Sequence, residues 1–123
     1  MKRIILVIVI FLTTTHICHA VNIKVRAVVD ADGITQVKAL INHPMETGAR
    51  INAKTGETIP AHYITKVNAY WNNNEVLHGI PSPAVSKNPY FSFKFKGATA
   101  GDTLEMSWED NLGNVDSTSI NIR

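Results

Sequence analysis

The chain has 123 residues, of which 12 are basic, 10 are acidic and 45% are apolar, with a single cysteine. That length fits one domain, the composition excludes long disorder or a collagen-like chain, and a net charge of +2 gives no basic field for nucleic acid. No apolar run reaches the ~20 residues of a membrane-spanning helix.

Met1, Lys2 and Arg3 form a basic start, Ile4 to Leu12 is an unbroken apolar run, and Thr13 to His19 is more polar. Cys18 and Ala20 put small side chains before a cut between Ala20 and Val21. This is the three-part layout of a secretory signal peptide. Residues 1–20 are therefore expected to be removed on export to the periplasm, leaving one domain over 21–123 with no membrane contact. Bulky Ile17 argues against lipidation at Cys18. Residues 21–123 carry equal numbers of basic and acidic side chains and no cysteine, which excludes disulfides, thiolate chemistry and cysteine-ligated metals there.

Period-two alternation dominates the rest. Ile23, Val25, Ala27 and Val29 alternate with Lys24 and Arg26, and Asp32-Gly33 turns the chain into Ile34–Asn42. His43 to Ala61 has little β pattern. Pro44, Gly48, Gly56 and Pro60 punctuate it, so an ordered excursion is expected, and connections this long are usually functional or disordered. Ile64–Trp71 turns at Asn72-Asn73-Asn74 into Glu75-Val76-Leu77. Tyr90–Lys96 places Phe91, Phe93 and Phe95 on one face and Ser92, Lys94 and Lys96 on the other. Thr103–Glu109 does the same with Leu104, Met106 and Trp108 inward. Gly97–Asp102 reads as the turn between these two strands, with outward lysines expected to pair across the ladder with outward glutamates. Val115–Ile122 is the last strand. Seven short strands and no helix predict an all-β fold, an immunoglobulin-like β-sandwich, with an open barrel as the alternative.

Few residues invite chemistry. His43, His62 and His78 with Met45 and Met106 form a candidate soft copper set, although no two histidines have a local ligand spacing. Asp110-Asn111-Leu112-Gly113 is a turn with a calcium reading. Glu109 and Asp110 are adjacent strand residues and point to opposite faces, so they make no acid–base pair. The serines lack a nucleophile elbow, and no glycine-rich phosphate loop is present. The residues predict no enzyme and no cofactor. The tryptophans and phenylalanines are read as core.

Four stretches carry a resemblance: KALINHPMETG (Lys38–Gly48), AKTGETIPAHYI (Ala53–Ile64), AVSKNPYFSFKFKG (Ala84–Gly97) and GDTLEMSWEDNLG (Gly101–Gly113). In order and spacing the chain resembles SoxZ, the small subunit of the sulfur-oxidation carrier complex. The resemblance implies pairing with SoxY, which carries sulfur intermediates of thiosulfate oxidation on a cysteine in a flexible, glycine-rich C-terminal arm. It also implies transient contacts with other Sox enzymes and no sulfur bond to this chain. Docking is expected along His43, Pro44, Met45, Glu46, Thr47, Gly48, Arg50 and Lys54 of the long loop and Ser86, Lys87, Asn88, Pro89 and Tyr90. Pro89 donates no ladder hydrogen bond and belongs at a strand start or an edge.

Overall fold

Alternating apolar residues become seven strands in the computed structural model, which describes residues 22–123. The predicted signal peptide, Cys18 and the Ala20–Val21 cleavage point lie outside the described residues. The strands are β1 (Ile23–Val29), β2 (Ile34–Ile41), β3 (Ile64–Trp71), β4 (Asn74–Gly79), β5 (Tyr90–Lys96), β6 (Thr103–Asp110) and β7 (Val115–Asn121). Two antiparallel sheets, ordered β1-β2-β5 and β4-β3-β6-β7, make an all-β sandwich. The chain changes sheet three times, after β2, β4 and β5.

One inner face contributes Ile23, Ala27, Val37, Ala39 and Ile41, and the other contributes Ile64, Val67, Ala69, Leu104, Met106 and Trp108. Burial of each large aliphatic side chain stabilises the fold by about 1.5–3 kcal/mol. Arg123 covers part of one side, its N–H and C=O bonding Ala27 and Val29 of β1. On the other side β5 and β4 are both sheet edges, and Phe91, Phe93 and Phe95 stay half-buried there.

Two expectations are corrected. Gly97–Asp102 does not join a hairpin but carries the chain from one sheet to the other, so β5 pairs with β2 while β6 pairs with β3 and β7. The β5 lysines therefore do not face the β6 glutamates. Glu109 is instead 3.2 Å from Lys66 of β3. The physical reason is that both strands have an apolar face, and those faces bury best against each other across the sandwich.

Candidate functional site

The site begins at the end of β6. Asp110 follows Leu104, Met106 and Trp108 on the inward face, so its carboxylate is buried. A buried charge must be met by donors, and the turn that follows supplies them. Asp110 Oδ1 accepts the backbone N–H groups of Leu112 (3.0 Å) and Asn114 (2.9 Å), and the Asn114 amide adds bonds to both oxygens.

Two histidines complete the shell. His43 Nε2 lies 3.1 Å and His62 Nε2 lies 2.8 Å from Asp110 Oδ2. They come from the two bases of the long excursion, which is closed by paired backbone bonds between Glu46 and His62 (2.7 and 2.8 Å). Met45 has φ 52, a left-handed backbone that is rare for a residue other than glycine. That conformation sets its N–H 3.2 Å from His43 Nδ1, while its sulfur accepts the Ile64 N–H. Asn88, at φ 53, clamps His43 from the Ser86–Tyr90 segment. Its side chain accepts the His43 N–H at 3.0 Å, and its own N–H donates to the His43 carbonyl at 2.9 Å.

These bonds assign protons. His43 Nδ1 accepts from Met45, so in the neutral ring the proton sits on Nε2 and is donated to Asp110. Burial lowers the His43 pKa, aided by neighbouring His62, and outweighs the opposing hydrogen bond to Asp110. Burial alone would raise the Asp110 carboxyl. The bonds from Asn114, His43 and His62 overcome it and hold the carboxyl well below the usual carboxylate range. A negative Asp110 beside a neutral His43 is thus the resting state at neutral pH.

The donor atoms of His43, His62 and Asp110 all lie within 4.8 Å of one another, close enough for a metal ion. The chemistry does not fit one. A metal at His43 Nε2 would displace the proton that the Met45 N–H forces there, and Asp110 already receives N–H donors at both oxygens. The same donors leave the calcium reading of this turn without a ligand. The copper set is corrected as well: His78 sits on β4 against Asn68 (2.9 Å), and Met106 is sealed in the core. Of that set His43, His62 and Met45 come together, and the Met45 sulfur is taken up by the Ile64 N–H.

A cleft of about 410 Å³ opens over the trio, lined by His43, His62, Trp108, Asp110 and Asn114 among others. The Trp108 ring stands edge-on to His43, with centroids 5.2 Å apart. Its buried Nε1–H has no hydrogen-bond partner among the described residues.

The predicted docking residues divide. His43, Met45 and Pro89 are buried and build the platform, and Pro89 directly precedes edge strand β5. Glu46 and Gly48 are half-buried. Pro44, Thr47, Arg50, Lys54, Ser86, Lys87, Asn88 and Tyr90 are exposed. Arg50 hydrogen-bonds Glu46 through two nitrogens, and this guanidinium, with Lys87 contributing less, holds the Glu46 carboxyl below its ordinary value. Sequence reasoning missed Asp110 as the hub. The available signal was its phase: a carboxylate two positions after Trp108 falls on the core face and needs partners.

The family model of "Sulphur oxidation protein SoxZ" matches residues 23–121. No curated protein matches the chain. The match runs through every strand and through all three members of the Asp110 trio, so the chain belongs to the SoxZ family of sulfur-oxidation proteins.

Proposed function

We propose that this protein is the noncatalytic subunit of a periplasmic SoxYZ carrier complex. It pairs with a SoxY-like subunit whose arm cysteine bears the sulfur intermediates of thiosulfate oxidation, and it presents that arm to visiting Sox enzymes. One observation carries the reading: a SoxZ-family domain spanning residues 23–121 contains no thiol, so a second chain must hold the sulfur. The half-buried phenylalanines of edge strand β5 support pairing. A stable heterodimer buries ~1,200–2,000 Å² in total, more than one loop supplies, so a sheet edge must contribute. The basic and apolar start of the chain supports export with a mature N-terminus at Val21.

Co-purification from the native periplasm followed by intact-mass spectrometry tests the proposal. All thiosulfate-derived mass is expected on the cysteine-bearing partner. A stable sulfur adduct on this chain, or recovery of this chain with no such partner, overturns it. N-terminal sequencing that finds Met1 on the functional protein overturns export by this segment.

A further inference from the structure

We propose that the cleft beside His62 receives the sulfhydryl-bearing end of the partner's arm, and that His62 Nδ1 accepts the sulfhydryl proton. This rests on the carrier reading above and assigns a chemical role to a site that reading leaves idle. His62 Nε2 faces the buried Asp110 carboxylate at 2.8 Å, so the neutral ring donates its one proton there. Nδ1 is then a lone pair with no hydrogen bond among the described residues. The side chain is 31% exposed and lines the cleft, so that lone pair belongs to a ring a ligand can reach. A histidine held by a carboxylate on one nitrogen, with the other open, is the arrangement of a general base.

The occupant follows from the lining. No lysine or arginine lines the cleft among the described residues, while Asp110 and Asp116 do. Such a lining disfavours a sulfur group that arrives already anionic and suits an uncharged thiol on a slender peptide, whose thiolate forms only together with the imidazolium beside it. Trp108 is 7% exposed with its indole N–H unpartnered among the described residues, a second polar group of the same lining that an incoming acceptor would satisfy. In the proposed step the S–H bond breaks and an Nδ1–H bond forms. The electron pair stays on sulfur as the thiolate, and nothing is oxidised or reduced. The imidazolium formed lies between that thiolate and Asp110, while His43, the remaining titratable group of the trio, keeps its proton on Nε2 and stays neutral.

The test is the pH profile of iodoacetamide alkylation of the arm thiol, measured on the cysteine-bearing subunit alone, in the wild-type complex and in a His62→Gln complex. The wild-type complex is expected to react about tenfold faster near neutral pH than the lone subunit, its inflection lowered by about one pH unit. The His62→Gln complex should return to the profile of the lone subunit. Identical profiles for the lone subunit and the wild-type complex overturn the proposal without any variant. A His62→Gln complex that keeps the lowered inflection also overturns it. Failure of the two wild-type chains to co-elute removes the carrier reading itself, a result separate from an unshifted thiol in an intact complex.

Discussion

The two ends of the sandwich use the same ingredients to different ends. At one, Trp71 closes β3 and its indole N–H donates to Asp102 at 2.9 Å. Asp102 also takes the Thr99 N–H and hydroxyl, so this corner spends its polar groups on itself. At the other, Trp108 keeps its N–H unpartnered among the described residues, and Asp110 is saturated by a turn and two histidines, one of them half-open to a cleft. The first end is a structural closure. The second carries a buried charge, a left-handed Met45 and an unfilled bonding capacity, features that concentrate at sites built to meet a ligand. The difference arises because the first corner joins two segments, Trp71 and the Thr99–Asp102 turn, whose donors and acceptors match, whereas the second gathers three segments around one carboxylate.

Removing the carboxylates should separate the ends most strongly. Asp110→Ala strips the hub from His43, His62 and Asn114 and is expected to cost about 3–5 kcal/mol in urea denaturation. Asp102→Ala, at a half-buried corner, should cost clearly less. Equal losses would mean that the buried network holds nothing special.

Acid should expose the same contrast. Asp110 has a lower pKa in the fold than in the unfolded chain, so its stabilisation is complete above about pH 5 and is lost as pH falls through ~4 and below. His43 is also lowered in the fold, so the unfolded chain takes up protons first and stability declines as pH drops below ~6.5. Glu46 and Asp102 add to the acid limb with the same sign as Asp110. Scanning calorimetry should find Tm lowered by more than about 5 °C between neutrality and pH 4. Asp110→Asn should flatten the part of the curve below pH ~4 more than Asp102→Asn does.

Two glycines sharpen the comparison further. Gly48 (φ +87) would place a Cβ 3.1 Å from Ala61 Cβ beside the histidine end, and Gly97 (φ +108) would place one 3.1 Å from Trp71 Cη2. Alanine at either position should cost about 1–2 kcal/mol from the backbone alone. Gly48→Ala should cost more, because Ala61 is tied through its carbonyl to the Asn111 amide, whereas the indole rim of half-exposed Trp71 can shift.

The smallest effect on stability is expected from Arg50→Glu, Lys54→Glu and Lys87→Glu together. These exposed charges should leave the circular dichroism spectrum and Tm nearly unchanged while weakening partner binding. Unchanged affinity and unchanged sulfur oxidation in the triple variant would remove them from the docking surface.

Much of the fold is legible in the chain because strand periodicity is local. The alternation in Tyr90–Lys96 and Thr103–Asp110 marks both strands and their inward faces without any knowledge of the partner strand. Pairing is different. A short glycine-bounded link after Lys96 is equally compatible with a hairpin and with a change of sheet, and only the burial of two apolar faces against each other selects the latter. The site was half legible for the same reason. His43 and Met45 stand out in the long excursion, and Asp110 lies in phase with the core, but nothing local ties positions 43, 62 and 110 together.

By itself, then, the sequence determined seven β segments, their buried faces and a domain without a thiol. These follow from side-chain period and residue chemistry, which need only near neighbours. Tertiary structure alone decided that β5 and β6 lie in opposite sheets, that His78 is separated from the other histidines, and that His43 and His62 share one carboxylate. The last of these outcomes depends on closing loops across 19 and 48 residues, from His43 to His62 and from His62 to Asp110. The closures are held by the Glu46–His62 bridge, the Asn88 clamp and the need to neutralise a charge buried at the end of β6.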